Sequence, residues 1–487
     1  MKISIRPFEK EDIAKKIEWI NDPENNRYLH YDLPLEYEKT LNWFEKNRGR
    51  KDRADMVIEA DGEPVGLIGR LSIDRKNGKA EYYVSMGEKA MKGQGVAKEA
   101  SRLILEYAFR ELRLDKVYLY TETGNIAAQK LFARVGFQTE GLLKADVVSH
   151  GTAADRYALG VTRADWLRNQ PQTPVTEAGE FFGNRLFFKR DDLIPYCFGG
   201  NKARKAELFF KKIDEGGYDC VVTYGSSHSN HCRIVANMAA KRSLPCTVIA
   251  PSEVSEPTFN SRFMELFGAK TVTVPVEEVH ETIEKTLEEL ESAGKKPYFI
   301  PGGGHGNLGT EAYVRCYDEI ASFEKETRTR FDYIFFASGT GTTQAGLICG
   351  KLMSGGAENI VGISIARKNP RGRNVVLESV RDYLSEKGFG CDEAAIEKAT
   401  VFIDDYIGEG YGAADSRITK TIKRAMTEFG VPLDSTYTAK AFAGMEDYLK
   451  THGVAGSGKN ILFIHTGGTP LFFDDMEKIN GTERTSE

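Results

Sequence analysis

The sequence predicts an α/β protein built in two parts, the second carrying a buried and mainly parallel sheet. Three observations lead there. From Arg185 onward, short apolar runs alternate with helical stretches, and strands that read as unbroken apolar runs are strands covered on both faces. Before that point, a hairpin is followed by a strand, a glycine-rich turn and an amphipathic helix. Residue usage also changes along the chain: all seven cysteines lie from Cys197 onward, while Trp19, Trp43 and Trp166 all precede it. The polar stretch Asn169-Gln170-Pro171-Gln172-Thr173-Pro174 reads as the seam. The expected division is residues 1–168, 169–480 and a polar tail over 481–487.

A length of 487 residues suits two or more domains, and 41% hydrophobic with 28% charged residues is ordinary for a globular protein. The net charge of −5 does not point to a nucleic-acid partner. No apolar run approaches membrane-spanning length, and Met1-Lys2-Ile3-Ser4-Ile5-Arg6-Pro7 reads as a strand because charges interrupt it at once. Seven cysteines without a Cys-x-x-Cys pair fit neither a disulfide scaffold nor a zinc site, so no metal is expected and a reducing cytoplasm is.

In the first part, Met56–Ala60 and Glu63–Gly69 read as a hairpin about Asp61-Gly62, and Ala80–Met86 as a further strand. Lys92-Gly93-Gln94-Gly95-Val96-Ala97 then opens a helix with Ala100, Leu103, Ile104, Tyr107 and Ala108 at helical spacing. Free backbone N–H groups at such a turn, with the helix dipole behind them, favour a pyrophosphate. After the strand Lys116–Tyr120 comes Asn125-Ile126-Ala127-Ala128-Gln129-Lys130-Leu131-Phe132-Ala133-Arg134-Val135-Gly136-Phe137.

That run resembles the Asn-x-x-Ala-x-x-x-aromatic-x-x-x-Gly-Phe motif of the GNAT superfamily of N-acetyltransferases, over residues 1 to about 165. Trp19-Ile20-Asn21-Asp22-Pro23 is similar to the branch acting on ribosomal-protein N-termini, amino sugars and polyamines. The resemblance implies the GNAT fold with a mixed sheet, and acetyl-CoA held by Lys92, Gly93, Gln94, Gly95, Val96, Ala97 and Asn125. Lys92 stands where Arg or Gln is commoner, and Phe132 where a Tyr often protonates the leaving thiolate. Glu81, Tyr82 and Tyr83 are the alternative acids or bases. A domain that only binds acetyl-CoA is the bland alternative.

In the second part, Gly199-Gly200-Asn201-Lys202 precedes by one βα unit the strand Cys220–Tyr224 and the helix start Ser229-Asn230-His231. The spacing suits a lysine that holds an aldehyde cofactor and an asparagine that touches the same ring. Further strands are expected at Thr247–Ala250, Thr271–Val274, Tyr298–Ile300, Tyr333–Phe336, Ile360–Ser364 and Ile461–Ile464. Ser338-Gly339-Thr340-Gly341-Thr342-Thr343, between a strand and a helix, suits a phosphate but is not a Walker loop, since no Gly-Lys-Ser/Thr follows.

Together these elements resemble the fold-type II pyridoxal phosphate (PLP) enzymes, closest to the D-cysteine desulfhydrase and 1-aminocyclopropane-1-carboxylate (ACC) deaminase family, over about Gln172 to Phe473. Phe188-Lys189-Arg190-Asp191-Asp192-Leu193, Gly410-Tyr411-Gly412, Leu433-Asp434-Ser435-Thr436-Tyr437-Thr438 and Ile464-His465-Thr466-Gly467-Gly468 carry the rest of the match. The resemblance implies a tryptophan-synthase-β-like fold with two three-layer α/β/α subdomains, commonly a homodimer. It implies Lys202 as the Schiff-base lysine and Cα proton shuttle. Asn230 would bond the phenolic oxygen, Ser229 grip the substrate carboxylate or cap its helix, and Tyr411 and Tyr437 line the substrate side. Gly339, Thr340, Gly341, Thr342 and Thr343 would cradle the phosphate. His231 is given a capping or supporting role, and His305 is a candidate for substrate contact.

ACC deaminases typically carry Glu after the second Tyr and Leu before the late Gly-Gly pair, where this chain has Thr438 and Thr466. A hydroxyl in place of a carboxylate leaves the pyridine nitrogen neutral and weakens the electron sink. The expected reaction is α,β-elimination on a small amino acid, D-cysteine giving pyruvate, ammonia and sulfide, in one chain with an acetyltransferase for a separate acetyl acceptor. One alternative couples the halves: O-acetylation of a hydroxy amino acid, then β-replacement. The others are a racemase, a dehydratase or an ACC deaminase beside a non-catalytic acetyl-CoA-binding domain.

Overall fold

The computed structural model describes residues 1–149, 151–252, 257–408 and 415–484, with side chains given to Met476 in the last helix. The chain divides into two compact units, Met1–Pro171 and Gln172–Glu487.

In the first unit the strands are β1 (Ile3–Pro7), β2 (Ala54–Ala60), β3 (Glu63–Asp74), β4 (Lys79–Met86), β5 (Lys116–Glu122), β6 (Gln138–Ser149) and β7 (Thr152–Thr162). They form one mixed sheet in the order β1-β2-β3-β4-β5-β7-β6. Alternation along β2 and β3 divides the apolar residues between its two faces. Ile58 and Ile68 pack with Ala100 and Ile104 of the helix Val96–Glu106, and Val57 and Leu67 pack with Ile13 and Trp19 on the other side. Ala108, in the π-helical turn Tyr107–Glu111 that follows this helix, is buried as the spacing predicts, but Tyr107 is exposed against Arg70. β4 and β5 run parallel and are in register only at Lys79/Lys116, Ala80/Val117 and Glu81/Tyr118. Beyond those pairs each strand continues unpaired with the other, to Met86 and Glu122.

The second unit has β8 (Val175–Phe181), β9 (Asn184–Lys189), β10 (Cys220–Tyr224), β11 (Cys246–Pro251), β12 (Lys270–Val274), β13 (Pro297–Ile300), β14 (Tyr333–Ser338), β15 (Asn359–Ser364), β16 (Val401–Ile403) and β17 (Asn460–Ile464). A four-stranded parallel sheet has the order β12-β11-β10-β13, and a six-stranded one β16-β15-β14-β17-β9-β8. Only β8 and β9 of the larger sheet pair antiparallel. Each sheet is covered on both faces. In β14, Ile334 and Phe336 enter one core and Phe335 and Ala337 the other; in β10, Val221 and Val222 do the same. Period-2 alternation therefore has no polar half, which is why these strands read as apolar runs.

The strands expected in this unit all form. The expected strands do not include β8, β9 or the three-residue β16; β8 is partly exposed and β16 too short to show a period. The last helix, Thr469–Arg484, runs on into the segment expected as a tail. All seven cysteines are free thiols. Among the described residues no helix is long and apolar enough to cross a membrane, and no cluster of His, Cys, Asp and Glu could hold a metal ion.

Candidate active site

Lys202 stands in the first turn of the helix Asn201–Gly216, and the docking of that turn positions it. Gly200 N donates to Asp191 O at 2.7 Å, and Asn201 N to Thr466 O at 2.9 Å. A buried ion network anchors the same helix from below. Arg204 donates to Asp191 at 2.6 Å and also binds Glu319, which takes a 2.6 Å bond from Lys189. Tyr313 Oη and Thr173 Oγ1 donate to Asp191 at 2.8 and 2.7 Å. Burial pushes the Asp191 carboxyl up, but the charges of Arg204 and Lys189 outweigh it and hold the group down at about 2. A network this complete is costly to break from one side, so it ties the lysine helix to β9.

Lys202 Nζ donates to Gly303 O at 3.1 Å. Burial is the main cause that pushes its ammonium down to about 8. A lysine so placed has a nucleophilic amine near neutrality. Asn201, Lys202, Asn230, Ala337, Gly339, Tyr437, Thr466 and Gly467 line one pocket with it. Lys202, Asn230, Gly339, Tyr437 and Thr466, assigned from separate sequence motifs, thus share one cavity. Tyr411 lies outside the described residues.

The loop after β14 leads into the helix Thr342–Ser354, whose N-cap Gly341 (φ 98°) supplies no side-chain cap. Thr340 Oγ1 is buried without a hydrogen-bond partner among the described residues. Thr342 Oγ1 accepts from Lys205 Nζ at 2.7 Å, and Thr343 Oγ1 from Asn201 Nδ2 at 3.2 Å. An uncapped helix start, an orphaned hydroxyl and a buried lysine are groups that could hold a phosphate. The sequence reading missed Lys205, although its i,i+3 relation to Lys202 on a helix was the available signal. Burial first, and then the nearby Lys202, push the Lys205 ammonium well below the ordinary lysine value.

Ser229 is the N-cap of the helix Asn230–Ala240 and accepts from Cys232 N at 3.2 Å. Its hydroxyl proton is not used by that bond. His231 is buried, its Nε2 lying 2.9 Å from Thr223 Oγ1, which itself donates to Ile300 O. Burial, and after it Lys202 and Lys205, push the imidazole well below its usual value, so His231 is neutral and donates through Nε2.

Thr438, one of the two positions that differ from the ACC deaminase pattern, does not line this pocket: it is fully buried, donates to Asp434 Oδ2 at 2.7 Å and accepts from Asp434 N at 2.8 Å. Thr438 is used in closing the turn that starts its helix, where Asp434 also takes the N–H groups of Thr436, Tyr437 and Thr438.

In the first unit the helix Val96–Glu106 begins behind Gly95, whose φ of 84° no bulky residue adopts cheaply, and has no side-chain cap. The loop amides predicted for Gly93 to Ala97 therefore stand at an uncapped helix start beside the splay of β4 and β5. Lys92 donates to Asn25 Oδ1 at 2.7 Å, and Asn125 caps the helix Ile126–Val135 by accepting from Ala128 N at 3.1 Å. Phe132 is buried edge-on to Tyr82 with ring centroids 6.0 Å apart. Ser101 Oγ gives its proton to Ala97 O at 2.6 Å, so Tyr82 Oη is the donor in its 2.6 Å bond to Ser101. Tyr83 Oη donates to Asp55 at 2.6 Å. Both hydroxyl protons are spent inside the fold. Glu81 remains, half-buried, and burial pushes its carboxyl up.

Two mainly parallel α/β sheets, a lysine and an asparagine in one pocket and an uncapped helix start after β14 point to a PLP enzyme. Comparison with known proteins agrees: residues 167–467 match the family described as pyridoxal-phosphate dependent enzyme, and the chain belongs to it. Residues 2–138 match an acetyltransferase (GNAT) domain. The chain is 31% identical over 311 residues to D-cysteine desulfhydrase of Serratia proteamaculans, covering 62% of this chain and 92% of the relative. It is 33% identical over 300 residues to a putative 1-aminocyclopropane-1-carboxylate deaminase of Pyrococcus abyssi, covering 61% and 88%. A crystal structure of an ACC deaminase homologue superposes with a TM-score of 0.58 at 30% identity, covering 64% of this chain and 94% of that one. The protein is a PLP-dependent enzyme in its second unit, and its first unit matches a GNAT acetyltransferase domain.

Proposed function

We propose that the second unit catalyses α,β-elimination on a small amino acid bearing a β-leaving group, D-cysteine being the expected substrate, to give a 2-oxo acid, ammonia and sulfide. The observation that carries this reading is the pocket wall: Thr466 contributes a hydroxyl, and none of the described lining residues is a carboxylate. A wall without an acid offers no partner that would keep a pyridine nitrogen protonated. That suits a reaction whose leaving thiolate stabilises its own charge. The relatives named for D-cysteine desulfhydration support the same reading.

When bound, PLP supplies the electron sink that makes the substrate's Cα–H bond acidic. Lys202 would anchor the cofactor and hold the proton taken from the substrate's Cα. Gly339 to Thr343, with Lys205, would hold the phosphate. Asn230 would donate to the phenolic oxygen. Ser229 donates its unused hydroxyl proton to the substrate carboxylate, and Tyr437 with Tyr411 closes the substrate side. The first unit transfers the acetyl group of acetyl-CoA to an amine, with the loop 92–97 on the pyrophosphate and Glu81, on β4, as the base. The chain acts as a homodimer.

The test is direct. The purified protein with PLP is titrated with D- and L-cysteine, D- and L-serine and ACC, following visible absorbance, sulfide and 2-oxo acid. Sulfide release from D-cysteine with no turnover of ACC is the expected result. Turnover of ACC alone, or Cα deuterium exchange without elimination, would overturn it. Release of CoA in the presence of amines tests the first unit.

A further inference from the structure

Arg233 is fully buried, yet it pairs with no carboxylate among the described residues. Its Nη1 donates to Asn260 Oδ1 at 2.9 Å, while Nε and Nη2 have no hydrogen-bond partner among the described residues. Burial is the main cause pushing it down to about 10. Leaving a guanidinium so poorly satisfied is costly, which calls for a compensating use.

Asn260, itself fully buried, connects Arg233 to the pocket. It stands in the first turn of the helix Phe259–Leu266, whose cap Thr258 donates to Ser227 O at 2.7 Å and so docks it on the loop before Ser229. Asn260 Nδ2 donates to His228 O at 2.9 Å and to Asn230 Oδ1 at 3.1 Å. Asn230 lines the cofactor pocket with Lys202.

We propose that Arg233 and Asn260 are positioning residues that fix the direction of hydrogen bonding, so that the Asn230 amide can only donate into the cofactor pocket. The reason lies in what each group is able to do. A guanidinium only donates and a backbone carbonyl only accepts. Arg233 at one end and His228 O at the other therefore leave Asn260 a single orientation, oxygen toward the arginine and NH2 toward Asn230. That occupies the Asn230 oxygen and leaves its NH2 as the end available to the pocket. An acid paired with Arg233 would take over its protons and free Asn260 to turn over, which accounts for the missing carboxylate. Burial excludes the water that otherwise re-satisfies a flipped amide.

The inference rests on the proposed contact of Asn230 with the phenolic oxygen of PLP, an oxygen that takes a donor and repels an acceptor. Asn260→Asp is nearly isosteric but reverses the relay. Its carboxylate accepts from Arg233 and can no longer donate, so the Asn230 NH2 turns toward it and the Asn230 oxygen turns toward the pocket. Asn260→Ala merely removes the relay.

Full-length apoprotein of wild type, Asn230→Ala, Asn260→Ala and Asn260→Asp is titrated with PLP, following the visible band and the dissociation constant, with circular dichroism reporting the fold. The expected order of affinity is wild type, then Asn260→Ala, then Asn260→Asp, the last weaker than wild type by about tenfold to a hundredfold, the range of a buried hydrogen bond to a charged group. The band shifts most in Asn260→Asp. A purely structural Asn260 gives the opposite order, because alanine leaves a cavity and aspartate does not. Folded Asn260→Asp binding PLP as tightly as Asn260→Ala overturns the proposal. If the aspartate variant does not fold, wild-type affinity and band in Asn260→Ala overturn it. Unchanged affinity in Asn230→Ala refutes the underlying contact instead.

Discussion

The backbones of Gly200 and Gly467 lie directly against each other: a Cβ on Gly467 would stand 2.7 Å from Gly200 Cα, and one on Gly200 would stand 2.7 Å from Thr466 O. Both residues have positive φ, 96° and 100°. This contact joins the turn before Lys202 to the turn after β17, and it closes the pocket on which the chemistry depends.

Gly467→Ala is the sharpest test of that closure. The substitution adds backbone strain of about 1–3 kcal/mol and a clash with main-chain atoms that cannot rotate away. The expected outcome is a lowered unfolding midpoint in urea together with a weaker visible PLP band. Wild-type values in both measurements would mean that the two turns move apart freely.

Lys202 gives a pH signature. Its ammonium is pushed down to about 8 by burial. Only the neutral amine attacks an aldehyde, so the rate of PLP incorporation into apoprotein rises with pH and levels off above about pH 8. An ordinary lysine would still be rising at pH 10. Stopped-flow absorbance across pH 6.5–10 measures the inflection, and Lys202→Ala shows no band at any pH.

Lys205 makes phosphate binding a proton-linked event. Burial and Lys202 hold its ammonium well below the ordinary value in the empty site. The arriving phosphate dianion opposes both effects and favours the charged lysine, so PLP binding takes up a proton there. Calorimetry in two buffers of different ionisation enthalpy should show less proton uptake in Lys205→Met than in wild type. Affinity should fall by about tenfold or more.

Thr438 is expected to matter to stability rather than to the pocket. Thr438→Val removes both of its side-chain hydrogen bonds with Asp434, at a cost of about 1–3 kcal/mol. Urea unfolding measures the loss. PLP-loaded protein at low denaturant should keep its absorbance maximum, because the side chain does not line the cavity.

Gly95→Ala tests the cradle of the first unit. Nothing lies within 4 Å of a Cβ there, so the cost comes from the φ of 84° alone. A strain of about 1–2 kcal/mol would be relieved by distorting the turn. Acetyl-CoA affinity by calorimetry should drop about fivefold or more, with the unfolding midpoint of the second unit unchanged.

Much of this architecture was legible without coordinates. Apolar runs marked β10, β11, β14, β15 and β17 because a strand buried on both faces has no polar period, and the glycines at 93, 95, 199, 200, 467 and 468 marked turns that only small residues can make. Ser229 as a cap and Lys202 as a helix-start lysine follow from local rules alone. The sequence by itself therefore determined the two-part α/β design, the position of the lysine turn and the phosphate-type loop.

The tertiary structure decided which motif residues meet. Thr438 and Thr466 look equivalent along the chain, yet one bonds Asp434 and the other faces the pocket, because side-chain direction at a helix start depends on which backbone N–H groups need a partner. Asn260 lies 30 residues beyond Asn230 and bonds it, and Lys205 reaches Thr342 across 137 residues of chain. No local period records such pairings. They arise where packing brings two polar groups together out of reach of water, and each is then left with the other as its partner.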